Sequence, residues 1–445
     1  MRMTRTATPP PDASRTPKVE ATIAILIIVF LAGGFVWLYG NIDPLDRRGL
    51  SDNNPTYTAL SALAYTYAGI QLYAQRAPLR HFLIILFPLF AFIAACFAST
   101  AWSVAPLETF VRAGSLLGTV LFALYLVVRF PPRNLIIILG ISFILMTFAA
   151  IILSIGFPYY GRQQLGDNMG NWRGIYSHKN DAAYTTILAL VTCTFLSIRE
   201  KRKAIWLIGV LSSIIMLIGS ASRTSLVVIL VAFLFGIWMF LVTNRKAIIR
   251  FFSIIYLLLI LLLVFFIMSS LEFLLSVVGR DATLTGRMLI WPIAVDYWKE
   301  SPVLGHGYQA AYLTLDGMPS RLAQQGWVWI PAHSHNCYLD ILLGVGVLGL
   351  GIYAYALFQT YRNGIDLIRL QRTPEIVWGL LILICISAVG VSGRVIMQPN
   401  TLELVLTTIA FYLVAHRQRH VKGDAVGGEG RNRTSCRARR SLVRR

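Results

Sequence analysis

Acidic side chains are scarce in this sequence. The 445 residues include 20 Asp and Glu against 40 Lys and Arg, and only 13% are charged. A soluble domain carries about a quarter charged residues, so an ordinary water-facing surface is excluded. With 56% hydrophobic residues, the chain is a membrane protein by composition. Cysteine is sparse as well. The five thiols (Cys96, Cys193, Cys337, Cys385, Cys436) are scattered and odd in number, which excludes a disulfide framework. No small-residue cleavage site follows the first apolar run, so a retained signal-anchor is expected there. Also missing are internal repeats and the matched pair of Gly/Pro-broken segments that transporters often carry. The segments expected outside contain no nucleotide-binding Gly-rich loop, no serine-hydrolase elbow and no Asp-x-Asp pair.

What the chain does have is long apolar runs. A hydrocarbon core about 30 Å thick takes about 20 residues at roughly 1.5 Å each. Runs of that kind fall at 21–40, 56–74, 81–98, 112–130, 134–157, 181–198, 203–220, 224–243, 250–270, 337–360, 375–393 and 400–416. The expected fold is therefore all-α: a polytopic membrane protein of about twelve transmembrane helices. A large periplasmic loop, 269–336, bears short helices. A cytoplasmic segment (1–20) precedes this membrane domain (21–420), and a disordered basic cytoplasmic tail (421–445) that can touch anionic membrane lipid follows it.

The basic residues set the orientation. With Arg2, Arg5, Arg15 and Lys18 inside, most short basic loops also fall inside, and so does the Arg-rich C-terminus; Arg47 and Arg48 dissent. Both termini are thus expected in the cytoplasm, and the net charge of +20 reflects topology rather than a nucleic-acid partner.

Three polar clusters then share the outer face. Asn171-Trp172-Arg173-Gly174-Ile175-Tyr176-Ser177-His178-Lys179-Asn180 is the first, and Ser220-Ala221-Ser222-Arg223-Thr224-Ser225 is the second. The third is the large loop, with Thr285-Gly286-Arg287, Trp291, Tyr308 and His333-Ser334-His335-Asn336. Thr285 is placed to cap a short helix carrying Met288, Trp291, Val295 and Trp298 on one face, lying in the interface or packing on the bundle. An Arg between spans, such as Arg223, is normally paired or lines a polar cavity, although some arginines only snorkel to headgroups. Guanidiniums beside the outer leaflet suit a phosphate ligand, and a nearby His suits a general base. His333 and His335, with Cys337 and Asp340 nearby, do not follow zinc spacing, so no metal and no cofactor are expected. Nucleotide sugars are supplied in the cytoplasm, so chemistry outside would draw on a donor that is already activated and lipid-borne.

Taken in order, these motifs resemble the O-antigen ligase and Wzy-type polysaccharide polymerase superfamily. The set comprises Trp102-Ser103, the Gly174 to Asn180 segment, Ser-x-Ser-Arg-Thr ending at Thr224, and Thr285-Gly286-Arg287 with Trp291. It continues with Ser301-Pro302-x-x-Gly305-x-Gly307-Tyr308, His335-Asn336-x-Tyr338-Leu339 and Gly344-Val345-Gly346. The Trp-Arg-Gly-x-x-x-His-Lys-Asn form is most similar to the ExoQ-like exopolysaccharide polymerase branch. This resemblance implies an inner-membrane glycosyltransferase that transfers or polymerises undecaprenyl-pyrophosphate-linked glycans at the periplasmic face. The implied transfer is inverting and metal-independent, and the acceptor is a growing polysaccharide or lipid A core. Arg223 and Arg287 match the family's pyrophosphate arginines, and His335 matches its base. Arg173, His178, Lys179, Asn180, Tyr308, His333 and Asn336 are the further candidate substrate contacts. Cys337 departs from the small or polar residue usual there, and the basic tail has no family counterpart. Two readings compete with the polymerase: an O-antigen ligase acting on lipid A core, and a transporter or flippase of lipid-linked saccharides. The transporter would want charges near the midplane, whereas this chain keeps them at the outer ends.

Overall fold

A computed structural model describes residues 18–33, 55–77, 79–164, 168–244, 246–269, 287–315, 317–327, 330–371, 373–393 and 395–419. Among them the chain is helical, and a lone antiparallel bridge joins Arg162 to Trp172. The helices are α1 Lys18–Leu31, α2 Pro55–Ala74, α3 Leu79–Ile85, α4 Phe87–Ala98, α5 Pro106–Arg129, α6 Pro132–Gly156 and the one-turn α7 Pro158–Gly161. They continue as α8 Lys179–Arg199, α9 Lys203–Ser220, α10 Arg223–Val242, α11 Ala247–Ser269, α12 Arg287–Trp298, α13 Met318–Gln324, α14 Cys337–Gln371, α15 Pro374–Gly390 and α16 at 402–419.

Six of these, α5, α6, α8, α9, α10 and α14, are long and apolar enough to cross a membrane, and α3 with α4 makes a seventh if that bent pair is one span. Two other expected spans have shorter described helices: α1 has 14 residues and α15 has 17. The expected basic tail lies outside the described residues.

Two compact units are formed, one within Met1–Gln75 and Phe122–Ser222, the other within Arg76–Leu121 and Arg223–Arg445. In the first, α6, α8 and α9 pack together and α1 lies on α6. Hydroxyls buried there return to the helix: Thr147 donates to the Phe143 carbonyl (2.9 Å), Thr186 to Ala182 (2.6 Å) and Ser213 to Gly209 (2.7 Å). Lipid offers no partner to a polar group, so for these three the helix's own carbonyls supply it. Thr147 and Ser212 also meet across α6 and α9 at 3.2 Å, a hydrogen bond that fixes their register. Arg133 clamps Glu200 with two parallel bonds of 2.8 and 2.7 Å at the end expected inside.

Two spans that read as straight in the sequence are broken in the second unit. Pro88, at the start of α4, accompanies a 93° bend between α3 and α4. In α14 the helix breaks at Val345 (φ −130°) and Gly346 (φ +64°). The Ser301 to Tyr308 segment docks onto this break and satisfies what it frees. His306 N–H donates to the Leu343 carbonyl (2.7 Å) and Gly307 N–H to Gly344 (2.9 Å). Val347 N–H in turn donates to Pro302 (2.9 Å). A sharp break inside a span persists only when such partners replace the lost helical bonds.

Candidate active site

In the first unit, the described residues between Phe157 and His178 are built on the C-terminal end of α6. Arg162 donates to the Ser154 carbonyl (2.8 Å), answering an orphan acceptor of the last turn, and its guanidinium lies 5.9 Å from the Trp172 ring. Trp172 N–H bonds the Gly219 carbonyl (2.9 Å), and a Cβ at Gly219 would strike the indole, so only glycine admits this contact. The first cluster is thereby fastened to the end of α9, four residues before Arg223.

Arg173 is buried, at 6% exposure, and gives its guanidinium to the carbonyls of Tyr160 (2.8 Å) and Ser177 (3.4 Å). No carboxylate pairs with it among the described residues, and burial draws its pKa below the ordinary value, opposed by Tyr159. His178 is the N-cap of α8: its Nδ1 accepts the Asn180 N–H at 3.1 Å. Ser177 Oγ donates to Asp181 (2.9 Å), so His178, Lys179 and Asn180 stand half-buried around one helix start.

The second unit holds the other candidates. Arg223 is the exposed first residue of α10. Arg287 opens α12, but its side chain lies outside what the structure describes, as do Thr285 and Met288. The face of α12 with Trp291, Val295 and Trp298 packs on a core of Tyr297, Ala311, Met318, Leu322 and Leu343. The fully buried face of this short helix is Ile290, Ala294 and Tyr297, one position from the expected one, and Trp291, Val295 and Trp298 stay partly exposed at its edge.

Tyr308 is buried and its hydroxyl donates to the Met397 carbonyl at 2.6 Å, which gives it a fastening role. The segment before it is tied to the Trp102-Ser103 motif. Trp102 Nε1 donates to Leu304 (3.3 Å), and Val104 N–H donates to His306 (3.1 Å). His306 stacks on Tyr297 with centroids 3.8 Å apart, donates through Nε2 to the Tyr297 carbonyl (2.9 Å), and is held by burial below the usual imidazole pKa.

Beside this lies the His333 to Asn336 turn. His335 adopts a left-handed backbone (φ +53°), with its N–H donating to His333 Nδ1 (3.0 Å) and the two rings 4.1 Å apart. Asn336 caps α14, its Oδ1 accepting the N–H groups of Tyr338 (3.0 Å) and Leu339 (3.2 Å). Ser334 is fully buried. Its N–H donates to Asp340 Oδ1 (2.9 Å), its carbonyl accepts Trp291 Nε1 (3.0 Å), and its hydroxyl meets Tyr312 OH (2.7 Å). A small cavity of about 30 Å³, room for about one water, is lined by Tyr308, Gln309, Tyr312, His333, Asp340 and Gln398 among others. His333, His335, Asn336 and Tyr308 thus belong to one assembly in the second unit, and Arg173, His178, Lys179 and Asn180 to another in the first.

Residues 208–354 match the family model described as O-Antigen ligase. Over 107 residues the chain is 29% identical to the exopolysaccharide production protein ExoQ of Rhizobium meliloti (strain 1021). That alignment covers 23% of this chain and 25% of that protein. Over that stretch the chain is similar to the O-antigen ligase family, and it spans about a quarter of the ExoQ relative's length. The matched stretch takes in Arg223, Arg287, the docking segment, the His333 to Asn336 turn and the α14 break; the Arg173 to Asn180 cluster lies outside it.

Sequence reasoning missed Gln309 and Gln398, and it named Ser334 and Asp340 without their roles in this assembly. Gln309 has a left-handed backbone (φ +56°) and bonds Gln398 at 2.6 Å. Asp340 carried a readable signal, as an acidic residue four positions after a helix-capping Asn.

Cys337, the family departure, is also explained. Its Sγ donates to the Gly393 carbonyl (2.8 Å) and accepts from Val395 N–H (2.8 Å) and Ile396 N–H (3.2 Å). Cys337→Ser is expected to retain these bonds, whereas Cys337→Ala strands three buried backbone groups. The alanine variant should lose about 1–3 kcal/mol or more, read as earlier thermal unfolding of the purified protein in detergent. Equal melting of both variants would contradict this role.

Proposed function

We propose that the chain is an inner-membrane glycosyltransferase of about twelve spans, with both termini cytoplasmic. It transfers or polymerises undecaprenyl-pyrophosphate-linked glycans onto a second glycan at the periplasmic face. The observation that carries this reading is His335, held in a left-handed turn at the start of α14 inside the stretch matching the ligase family. In the proposed reaction His335 takes the acceptor hydroxyl proton as that oxygen attacks the anomeric carbon. The bond to pyrophosphate breaks with inversion, without a metal. Arg223 and Arg287 stabilise charge gathering on the pyrophosphate, and His333 and Asn336 shape the surroundings of His335; Arg173, His178, Lys179 and Asn180 are proposed separately, as substrate contacts of the first unit. The likeness to ExoQ supports exopolysaccharide assembly, and the ligase description of the family supports transfer to lipid A core as the second reading.

The arginine roles are tested by substitution. Lys keeps the charge but loses the planar fork, so Arg223→Lys and Arg287→Lys are each expected to weaken donor use about ten- to a hundredfold at equal membrane abundance. Near-normal polymer from both variants in cells would overturn the pyrophosphate assignment.

A further inference from the structure

The left-handed backbone of His335 is not self-supporting. For a residue with a Cβ, this conformation is disfavoured by about 1–2 kcal/mol, and it persists where the surroundings over-determine it. Downstream, Asn336 is locked as the cap of α14. Upstream, Ser334 is held on three sides, and two of those holds come from neutral groups, Trp291 and Tyr312. The third is a carboxylate, Asp340, accepting the Ser334 N–H at 2.9 Å. Asp340 sits in the first turn of α14, so its bond ties the Ser334 backbone directly to the helix that Asn336 caps. Its field reaches its neighbours. The Tyr312 hydroxyl is raised in pKa first by burial and then by Asp340.

We propose that Asp340 is a positioning residue for the transfer reaction, an acceptor that aims His335 by fixing the Ser334 backbone. The inference rests on the proposed transferase reading. Its essential property is the place of one oxygen rather than the charge. Asn keeps an oxygen at that place without charge; Glu keeps charge but moves the oxygen by a methylene; Leu keeps neither.

The test uses the whole protein in detergent, with a lipid-pyrophosphate oligosaccharide as donor and ring-¹³C-labelled histidine. The His335 resonance is identified by its loss in His335→Gln. Asp340→Asn should keep kcat within about threefold and leave that resonance in place. Asp340→Glu and Asp340→Leu should lower kcat about 10- to 100-fold, with donor KM little changed and the resonance shifted. An unmoved resonance in both Glu and Leu variants, or Asn as impaired as Leu, overturns the proposal. The Asn-against-Glu comparison decides the matter even if the Leu variant does not fold. Should the wild type itself fail to turn over donor, the transferase reading falls, and the resonances alone decide whether Asp340 sets the His335 turn.

Discussion

Replacing His335 with alanine is expected to lower glycan transfer by about 10²–10⁴, the usual loss when a general base is removed. The variant should insert in the membrane and bind lipid-linked donor as before. The expectation follows from where the imidazole stands. It is half-exposed, so protons can leave it, and its backbone is bounded by a three-point hold on Ser334 and the Asn336 cap. A group that must exchange protons while keeping one geometry needs both properties. Imidazole is the side chain best suited to take up and return a proton near neutral pH. His333→Ala should be milder. It removes the acceptor for His335 N–H, a neutral hydrogen bond worth about 0.5–1.5 kcal/mol, or roughly two- to twelvefold. Gln and Asn can imitate hydrogen bonds but cannot take a proton at neutral pH. Rates near wild type in His335→Gln or His335→Asn would exclude His335 as the base.

The second large effect is structural, and it falls on the helix break. Gly346 has φ +64°, and a Cβ there would lie against the Val303 carbonyl. Gly307 has φ +104°, and its Cβ would collide with Ser103. Both neighbours belong to segments pinned by backbone hydrogen bonds, so neither can move aside cheaply. A left-handed Cβ costs about 1–2 kcal/mol and overpacking about 1–3, so Gly346→Ala and Gly307→Ala should each lose roughly 2–5 kcal/mol. That is a large share of a typical stability of about 5–15 kcal/mol. The expected signs are low membrane abundance and protease sensitivity in the Ser301 to Tyr308 segment. Gly351, which has open space around it, is the control: Gly351→Ala should be abundant and protected. Equal behaviour of Gly346→Ala and Gly351→Ala would mean that the break does not hold the docked Ser301 to Tyr308 segment in place.

Much of the helical frame was legible in the sequence because apolar runs of spanning length end at charges and prolines. The run at 203–220 coincides with Lys203–Ser220, and 134–157 with Pro132–Gly156. The break in α14 was not legible. Gly344-Val345-Gly346 is apolar and small, so hydropathy treats it as continuous helix, and the groups that satisfy it lie some 40 positions upstream. The Ser301 to Tyr308 motif was visible as a motif, but its job of docking on that break depends on those distant partners. Arg173 shows a different limit. An arginine that grips carbonyls and one that awaits a phosphate look alike in sequence, and only the Tyr160 and Ser177 bonds reveal the first role. Asp340 was weighed only as a metal ligand beside the histidines, because residue type and spacing are all the sequence offers; its bond to Ser334 is what sets it apart.

The most direct measurement of the central claim is turnover by the purified protein. It would be incubated in detergent with lipid-pyrophosphate oligosaccharide, first alone and then with a separate glycan acceptor, and the products resolved by length. The account predicts release of lipid pyrophosphate coupled to a longer glycan: a ladder with donor alone for a polymerase, or a single addition that requires the acceptor for a ligase. Either product should vanish in His335→Ala. Donor that stays intact under both conditions, or transfer that proceeds undiminished in His335→Ala, would contradict it.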